Sequence, residues 1–357
     1  MTQLPTNRME AWRWTDLAAL EAARATTRGV AAATDELWLP GDGPRLVFRD
    51  GVFQADLSTP GEVLVEAVAP LTIHPLGAAT AGEGWRLTLA AEQTAAAIQI
   101  VHVATGGENH LPGIIELGRN AAASIVETYV GAGWTNRLTT IRLAEGARLT
   151  RSVRLLQTSG FVSLREEAEI GAAARLSSVF LGAGGAASRI DGELVVNGDG
   201  GLAEMGGALL TRGEQRQECA VTVRHVALDG ASRQIWRAVA ADRSAASLAA
   251  RVDVARGAQK TDGEQSLRGL LLHRTATVNL KPELEIFADD VKCAHGATVG
   301  ELDKQALFYL QSRGLAEGPA KAMLTRAFVA DAIDRIEEEA VRQAFAANAE
   351  AWLNEAL

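Results

Sequence analysis

A weak internal repeat is the feature of this sequence that most limits what the chain can fold into. Small, turn-forming residues precede an apolar anchor at Ile125, Leu149, Leu176 and Leu202, and these anchors are 24, 27 and 26 residues apart. A similar turn before Leu248 lies 46 residues further on, close to two further periods. Short strands and turns at such a period are typical of a β-solenoid, whose coils bury their inner faces against one another. The alternative is an antiparallel sandwich with regularly spaced strands.

The side-chain composition favours the solenoid. Aromatic residues make up only 5% of the chain, whereas 35 residues are Gly. Small side chains in such numbers suit tightly stacked backbone layers better than a core built on large rings. Between Ile98 and Ile286, short β-like runs follow one another without a helix-length amphipathic segment. The sequence therefore predicts a mainly β core.

The N-terminal residues predict a short helical region followed by a hairpin. Asn7 with Glu10 fits a capping box. Asp16 offers a second helix start, and Gly29 offers a stop. Asp50-Gly51, between two apolar runs, is typical of a two-residue hairpin turn.

The C-terminal residues predict helices. Thr298 and Glu301 fit a capping box ahead of a first helix that Gly314 ends. A second helix starts at Gly318-Pro319 and runs towards Gln343, and a third helical stretch closes the chain.

The second of these helices carries apolar residues on two opposite sides. At about 100° per residue, one side holds Met323, Leu324, Ala327 and Phe328, and the other holds Val329, Ile333, Ile336 and Ala340. Such a helix needs two surfaces to pack on. One is its own domain, and the other is either a partner protein or the last helix of a larger helical subdomain.

Charge and cysteine content exclude several classes of protein. The net charge is −9, and no basic run offers the clustered Lys and Arg that nucleic-acid binding requires. Two cysteines, Cys219 and Cys293, cannot form a disulfide framework. No stretch reaches the ~18 apolar residues of a membrane span, and the N-terminus has no apolar signal-peptide core. We therefore expect a cytoplasmic protein that binds neither nucleic acid nor membrane.

One pair of residues suggests metal chemistry, although P-loop, Rossmann, serine-hydrolase and zinc-helix motifs are missing. If Leu284–His295 is a strand, Cys293 and His295 share a face, because residues two apart point the same way. Thiolate with imidazole suits iron, iron–sulfur species or zinc. Two ligands cannot close a four-coordinate site. The pair is therefore an open or transient site, a site that a partner completes, or a buried Cys and a hydrogen-bonded His that bind nothing.

Neighbouring acids offer a rival interpretation. On the same strand, Asp289 would lie on the face of Cys293, and Asp290 on the other face. Paired acids beside a histidine could serve hydrolysis. Many β-solenoid proteins are carbohydrate-active, so a polysaccharide lyase or hydrolase is the alternative class. The missing export signal counts against it.

The most distinctive motif surrounds this pair. It runs from Pro282 to Gly314 and contains LEIFADDVKCAHGATVG and LFYLQSRG. Further matches are AQKTD with Gln265, His225 followed by Ser232-Arg-Gln234, and EAWRWTDL near the N-terminus. These segments resemble SufD in the SufB/SufD family, whose members belong to the SufBCD iron–sulfur cluster assembly machine. Strong similarity covers about residues 220–330.

The resemblance implies a fold and a division of the chain. It implies a right-handed parallel β-helix core at residues 76–297. A helical or small mixed domain would occupy residues 1–75, and a C-terminal helical domain would occupy residues 298–357.

The resemblance also implies a non-catalytic scaffold. The core would pair with SufB, or with a second copy where SufB is missing, and the C-terminal helices would dock the ATPase SufC. The expected SufC-binding residues are Phe308, Tyr309, Arg313, Met323, Leu324 and Phe328.

The resemblance assigns a role to the pair of candidate ligands. His295 matches the functionally important histidine of the family at the SufB–SufD interface, and Cys293 is its neighbouring candidate. No cofactor would be stably bound, but iron or a nascent cluster would be shared transiently with SufB. Reduced flavin has been linked to the complex of the family, although this sequence contains no flavin motif.

Overall fold

The computed structural model describes residues 4–357 and consists mostly of parallel strands, with short helices towards both ends. The helices are α1 (Leu17–Arg24), α2 (Lys304–Ser312), α3 (Glu317–Ile333) and α4 (Glu339–Ala356). The strands are β1 (Arg45–Arg49), β2 (Val52–Phe53), β3 (Leu64–Val68), β4 (Gly82–Leu89), β5 (Thr94–Leu117), β6 (Ala122–Leu143), β7 (Arg148–Leu155), β8 (Phe161–Ile170), β9 (Arg175–Gly182), β10 (Ala187–Val196), β11 (Leu202–Thr211), β12 (Arg216–His225), β13 (Ala231–Ala240), β14 (Ala245–Val254), β15 (Asp262–Leu271), β16 (Thr277–Ile286) and β17 (Lys292–Glu301). Within the described part of the chain, no helix has the length and apolar character to cross a membrane.

The strands stack into a β-solenoid of about eight coils that alternate between two parallel sheets. Face A contains β7, β9, β11, β13, β15 and β17, and face B contains β8, β10, β12, β14 and β16. The long strand β6 belongs to both, since its first part pairs with β7 and its second part with β8. It bends where Gly131 and Gly133 adopt φ of 93° and 109°, a region that glycine enters without steric cost. The predicted solenoid is confirmed, and the antiparallel sandwich is wrong.

The phase of the repeat differs from the predicted one. The same rung of successive coils on face A is occupied by Ala123, Leu149, Leu176 and Ala203. Ile125 and Leu202 are therefore not equivalent anchors, and Leu248 lies on face B rather than two coils further along face A. The prediction failed because small residues and a turn precede the strands of both faces. An apolar residue beside the true rung position, or one on the other face, therefore fits the same sequence pattern.

The inner surfaces of the two faces enclose a space that we call the lumen. It is filled mainly by one apolar cluster that extends from Leu46 to Leu267 and includes Phe180 and Trp236. These two rings stack with their centroids 6.1 Å apart. Complete burial of a large apolar side chain contributes roughly 1.5–3 kcal/mol, so this cluster is the main source of stability.

Residues Glu10–Asp16 cross the outer surface of face B, and we call them the N-terminal strap. Trp12 is buried, and the Arg189 guanidinium of β10 lies 3.9 Å from its ring centroid. At the other end of the strap, Lys281 Nζ of β16 donates to the Glu10 carboxylate at 2.7 Å. The strap therefore connects β10 with the last strand of face B.

The N-terminal predictions are partly confirmed. Helix α1 begins after Asp16, whose carboxylate accepts a backbone N–H at 2.9 Å, and ends at Arg24, before Gly29. The capping box at Asn7 is wrong. Its amide instead donates to two carbonyl groups further along the chain, and a single 3₁₀ turn forms. The hairpin at Asp50-Gly51 is confirmed, since β1 and β2 pair antiparallel around it.

Helices α3 and α4 pack on the outer surface of face A. Their buried apolar residues, which include Val329, Phe345 and Trp352, contact Leu210 and Val239 of the sheet. The Arg237 guanidinium of β13 also donates to the carboxylate of Asp331 at 2.8 Å. Face A is thus covered by helices.

Two boundaries of the C-terminal helices differ from prediction. The first helix is capped by Asp303, which accepts from two backbone N–H groups, because Thr298 and Glu301 still belong to β17. The second helix ends at Ile333, so Ile336 lies beyond it, and α4 follows as a separate helix. The predicted stop at Gly314 is confirmed by its φ of 91°.

The C-terminal end of the solenoid is an open edge. β16 and β17 pair on one side with β14 and β15, and no strand of residues 4–357 pairs with their other side. Nearly every residue of β17 is exposed. Ten-residue strands with unpaired N–H and C=O groups are ready to pair with another chain.

Candidate functional site

Cys293 and His295 lie on β17, the last strand of face A. In the parallel register Cys293 is opposite Gly263, and His295 is opposite Gln265. Gly263 and Gln265 both face the lumen and are buried. The two candidate ligands therefore point along the inner surface of the final coil, where no further coil covers them. His295 is exposed, and Cys293 is half-buried.

The strand prediction for this segment needs a correction. β16 ends at Ile286 and β17 begins at Lys292, so Leu284–His295 is not one strand. Asp289 and Asp290 lie in the turn between them, where the Asp290 carbonyl accepts a backbone N–H from Lys260 at 2.5 Å. The shared face of Asp289 and Cys293 is wrong, whereas Cys293 and His295 do lie two apart on one strand.

Buried polar side chains line the lumen directly beneath the pair, and we call Ser232, Gln234, Gln265 and His225 the C-terminal polar layer. In register, Ser232 is followed by Gly263 and then Cys293, and Gln234 is followed by Gln265 and then His295. All four side chains of the layer are at most 1% exposed. The mainly apolar lumen thus has a polar lining in its last coils.

Both glutamines are bonded at one end and free at the other. Gln234 Nε2 donates to the Arg251 carbonyl at 3.0 Å, and Gln265 Nε2 donates to the Glu283 carbonyl at 3.2 Å. Within the described chain, Oε1 of each glutamine is buried without a hydrogen-bond partner. Buried polar atoms are nearly always paired, so each of these carbonyl oxygens is available to accept a hydrogen bond.

The rest of the layer lies beneath Cys293. The His225 imidazole Nε2 lies 2.9 Å from Ser232 Oγ, and burial lowers the pKa of His225 to about 4, which keeps it neutral. A Cβ placed on Gly263 would lie 3.3 Å from Cys293 Sγ and 3.5 Å from Ser232 Oγ. Burial raises the pKa of the Cys293 thiol. The free thiol is therefore favoured until a ligand displaces its proton.

The donor set is chemically suited to a soft or borderline metal but is incomplete by itself. Thiolate and imidazole are good ligands for iron and for iron–sulfur species. The described residues contain no group of three or more His, Cys, Asp or Glu side chains that could hold a metal ion. Cys293 and His295 could each contribute one ligand, so further ligands would have to come from outside this part of the chain.

The six residues expected to dock a partner lie on α2, α3 and the turn after α2. Phe308 and Tyr309 are 70% and 57% exposed, and the Arg313 guanidinium lies 5.3 Å from the Tyr309 ring centroid. On α3, Met323 is 45% exposed. Leu324 and Phe328 are half-buried, and Phe328 packs against the cluster between α3 and face A. The structure therefore leaves an apolar surface on α2 and α3 and partly withdraws Phe328 from it.

A second polar group lies in the lumen near its N-terminal end, and sequence reasoning missed it. We call His102, Glu127, Tyr129, Arg151 and Glu166 the N-terminal ion network. One Glu127 oxygen accepts from Arg151 Nε at 2.7 Å, and the other accepts from the Tyr129 hydroxyl at 2.6 Å and lies 3.1 Å from His102 Nε2. The guanidinium of Arg151 also donates to Glu166. The only sequence signal is that these polar residues stand at lumen-facing rungs.

Electrostatics within this network favour one protonation state. Burial lowers the pKa of His102 to about 4, against the opposing effect of Glu127. Burial alone would raise the pKa of Glu127, but Arg151 and His102 hold it well below its usual range. The network is therefore a closed arrangement of paired charges around a neutral histidine.

A groove on the outside of face B bears on the carbohydrate-active alternative. It has a volume of about 420 Å³ and lies beside the N-terminal strap. Four of its basic residues, Arg165, Arg189, Arg251 and Lys281, are each bonded to carboxylates, and the Arg13 guanidinium lies 5.3 Å from the Trp14 ring centroid. Charges that neutralise one another leave few groups to bind a sugar or to act as acid and base, so the groove does not favour this alternative.

Comparison with known proteins identifies the family. A family model described as the SufBD core domain of SUF system FeS cluster assembly matches residues 76–328. The chain is 28% identical over 377 residues to the iron–sulfur cluster assembly protein SufD of Escherichia coli, covering 96% of this chain and 88% of that protein. It is 28% identical over 382 residues to a SufBD family protein of Synechocystis, covering 94% and 84%. It is also 32% identical over 231 residues to the chloroplastic protein ABCI7 of Arabidopsis thaliana, covering 61% and 47%.

Proposed function

Because the chain belongs to the SufBD core family and is a SufD-type iron–sulfur cluster assembly protein, we propose that it is a non-catalytic scaffold subunit that pairs with SufB and docks the ATPase SufC. The observation that carries this proposal is the open end of the solenoid. There, two strands that each have one unpaired edge and two potential ligands lie on the same coil. Both features are incomplete in one chain and would be completed by a second solenoid.

Pairing with SufB would use the free edges of β16 and β17. These ten-residue edges offer backbone donors and acceptors that a partner strand could satisfy. His295 and Cys293 would then lie at the seam, and SufB would supply the remaining ligands. Iron or a nascent cluster would be a substrate held there in passing. Cys293 would ligate as a thiolate, so binding would release its proton.

The histidine assignment is tested in the assembled complex. We expect His295→Ala to leave co-purification with SufB and SufC unchanged, since the side chain is exposed in the isolated chain. Cluster formation, measured by visible absorbance and by bound iron and sulfide, should fall by roughly 10-fold or more because a ligand is lost. Lys292→Ala on the same strand, which faces away from the lumen, is the matched control. A His295→Ala complex that builds clusters at the wild-type rate would show that the site is wrong.

Docking of SufC would use the apolar surface formed by α2 and α3. Exposed aromatic and apolar side chains on a charged surface are typical of interfaces. Phe308, Tyr309 and Met323 are the most exposed of the five expected apolar and aromatic residues, and Arg313 is exposed beside them. Arg313 would hold the ring of Tyr309, and Leu324 with Phe328 would form the floor between this surface and face A.

We expect Met323→Glu to abolish SufC co-purification while the thermal unfolding of the chain changes little. A buried charge at the centre of an interface costs several kcal/mol, whereas an exposed one costs little. Ala347→Glu, at an exposed position on α4, is the matched control and should still bind. Normal SufC binding by Met323→Glu would refute the assignment of this surface.

A second copy of this chain is the other partner that could pair with the open edge. Mass measurement of the purified complex distinguishes the two arrangements. One copy each of this chain and SufB supports the proposal, whereas two copies of this chain with SufC alone would replace SufB as the partner.

A further inference from the structure

Two stacked glutamine side chains support the rung that carries His295. Gln234 and Gln265 occupy adjacent rungs of face A, and both send Nε2 across the lumen to backbone carbonyl groups of face B. The residues that supply these carbonyls, Arg251 and Glu283, are themselves partners in the register of face B. The same arrangement is thus repeated in two successive coils.

This arrangement fixes which end of each amide is free. Because Nε2 is held by face B, the carbonyl oxygen Oε1 is left in the lumen, and for residues 4–357 it has no partner. An unpaired buried acceptor costs about 1–3 kcal/mol. Gln265 is 1% exposed and Gln234 is 0% exposed, so bulk water does not remove this cost. A hydrogen bond from a neighbouring donor to either oxygen would therefore be stabilising.

The rung beyond Gln265 is His295, which is its direct partner in the register. Adjacent strands lie about 4.8 Å apart, which places the imidazole within reach of an amide on the neighbouring rung. A neutral imidazole has one N–H donor and one nitrogen lone pair. The structure leaves Oε1 of Gln265 unpartnered and the His295 side chain exposed. We propose that Gln265 is a positioning residue for His295: rotation of the imidazole would bring its ring N–H to Oε1 and turn the other nitrogen outward from the end of the solenoid.

This inference rests on the proposed function, since an oriented lone pair matters only if His295 receives iron or a cluster. A histidine that ligates a metal usually donates its other N–H to a fixed acceptor, which sets the tautomer and the ring orientation. Loss of such an acceptor costs roughly 10–100-fold in metal affinity. Gln265 supplies this acceptor from within the chain, before any partner binds.

Gln234 provides a matched control within the same column. It has the same burial, the same bond to face B and the same free Oε1, but it lies one rung further from His295. A substitution there removes an equivalent amide from the lumen without removing the neighbour of His295. General damage to the last coils would therefore affect both variants equally.

The test is the tautomer of His295 in the full-length chain, measured at neutral pH from the ring nitrogen shifts of histidine labelled with ¹⁵N. The chain has six histidines, and His295→Ala identifies the signal. In the wild-type chain we expect one tautomer to predominate. Gln265→Met, which keeps the length and removes the acceptor, should shift the populations towards those of a free histidine. Gln265→Glu keeps an acceptor oxygen and should retain one tautomer, and Gln234→Met should match the wild type.

If Gln265→Met does not fold, Gln265→Asn moves the amide oxygen back by one methylene and should show the same shift. Unchanged His295 signals in a folded Gln265→Met or Gln265→Asn chain would overturn the proposal, as would equal shifts in the Gln234→Met chain. In the SufB-containing complex, Gln265→Met should reduce cluster formation roughly 10-fold and Gln234→Met less than about 2-fold. If instead His295→Ala builds clusters normally, the proposed function fails while the tautomer result still stands.

Discussion

The two ends of the lumen both contain buried polar side chains, but they differ in whether those side chains are satisfied. In the N-terminal ion network, Glu127 accepts hydrogen bonds on both oxygens, and Arg151 connects it with Glu166. In the C-terminal polar layer, Gln234 and Gln265 each keep an unpartnered oxygen in the described chain. The first group is complete within one chain, and the second is not.

This difference separates a structural role from a functional one. A closed network of paired charges is costly to disturb, because removing one member leaves another charge buried and unpaired. An open layer of neutral amides costs less to alter and can gain a donor or a ligand. Burial alone does not distinguish the two groups, since both are almost fully buried. The two groups differ in whether each buried polar atom has a hydrogen-bond partner.

The largest effect is expected for Arg151→Met in the N-terminal ion network. This change removes the partner of two buried carboxylates, so the free energy of unfolding should fall by about 3–5 kcal/mol. Urea denaturation followed by circular dichroism measures it. Arg142→Met breaks an exposed ion pair with Glu116 and, as the control, should cost at most about 1 kcal/mol. A cost for Arg151→Met no larger than that of the control would contradict the comparison.

An intermediate effect is expected from pH. His102 at one end of the lumen and His225 at the other both have their pKa lowered to about 4 by burial, whereas an unfolded histidine titrates near 6.5. Between these values the unfolded chain binds more protons, so the free energy of unfolding should fall as the pH falls from about 6.5 to about 4. Each histidine contributes on the order of 3 kcal/mol to this loss.

Single variants assign the two contributions. His102→Gln and His225→Gln cannot titrate, so each should remove its own share of the pH dependence measured by urea denaturation. His102 lies among Glu127, Arg137 and Arg151, and the depressed pKa of Glu127 adds a further loss of stability only at lower pH. An unchanged slope in both variants would show that folding does not lower the pKa of either histidine.

The smallest effect is expected for Gln234→Met in the C-terminal polar layer. The change loses one hydrogen bond to the Arg251 carbonyl but also removes an unpartnered buried oxygen. We expect these terms nearly to cancel, so the unfolding free energy should change by less than about 1 kcal/mol. If Gln234→Met lowered the free energy of unfolding as much as Arg151→Met, the hydrogen bonds of the C-terminal polar layer would be as important for stability as those of the N-terminal ion network.

The repeat made the solenoid fold predictable from the sequence, but it did not predict the register between successive strands. A period of 24 to 27 residues requires a solenoid or a very regular sheet, and Asp50-Gly51 identifies its hairpin. Register depends on which of two adjacent residues faces the lumen, and Ile125 beside Ala123 shows how both positions satisfy a turn-and-anchor pattern. The end of α3 was missed for a related reason. Its apolar pattern continues through Ile336 although the backbone leaves the helix at Ile333.

The site was predictable in its residues but not in its surroundings. Spacing alone gives Cys293 and His295 a shared face once they lie on a strand. The sequence did not predict the turn at Asp289, because the apolar residues before it continue the strand pattern beyond the end of β16. Gln265 and Gln234 belong to the motif that resembles the family, but their role depends on stacking between residues about 30 positions apart, which only the folded register supplies.

The N-terminal strap has a consequence for the timing of folding during synthesis. In a solenoid each coil contacts mainly its neighbours, so coils can fold in order as they leave the ribosome. The strap is made first, yet Glu10 binds Lys281, which is 271 residues later. At roughly 5–20 residues per second, Glu10 must wait tens of seconds for its partner on β16 to be translated. The N-terminal strap therefore completes its docking only after the last strand of face B has been translated, and until then a chaperone that protects nascent segments would have to shield it.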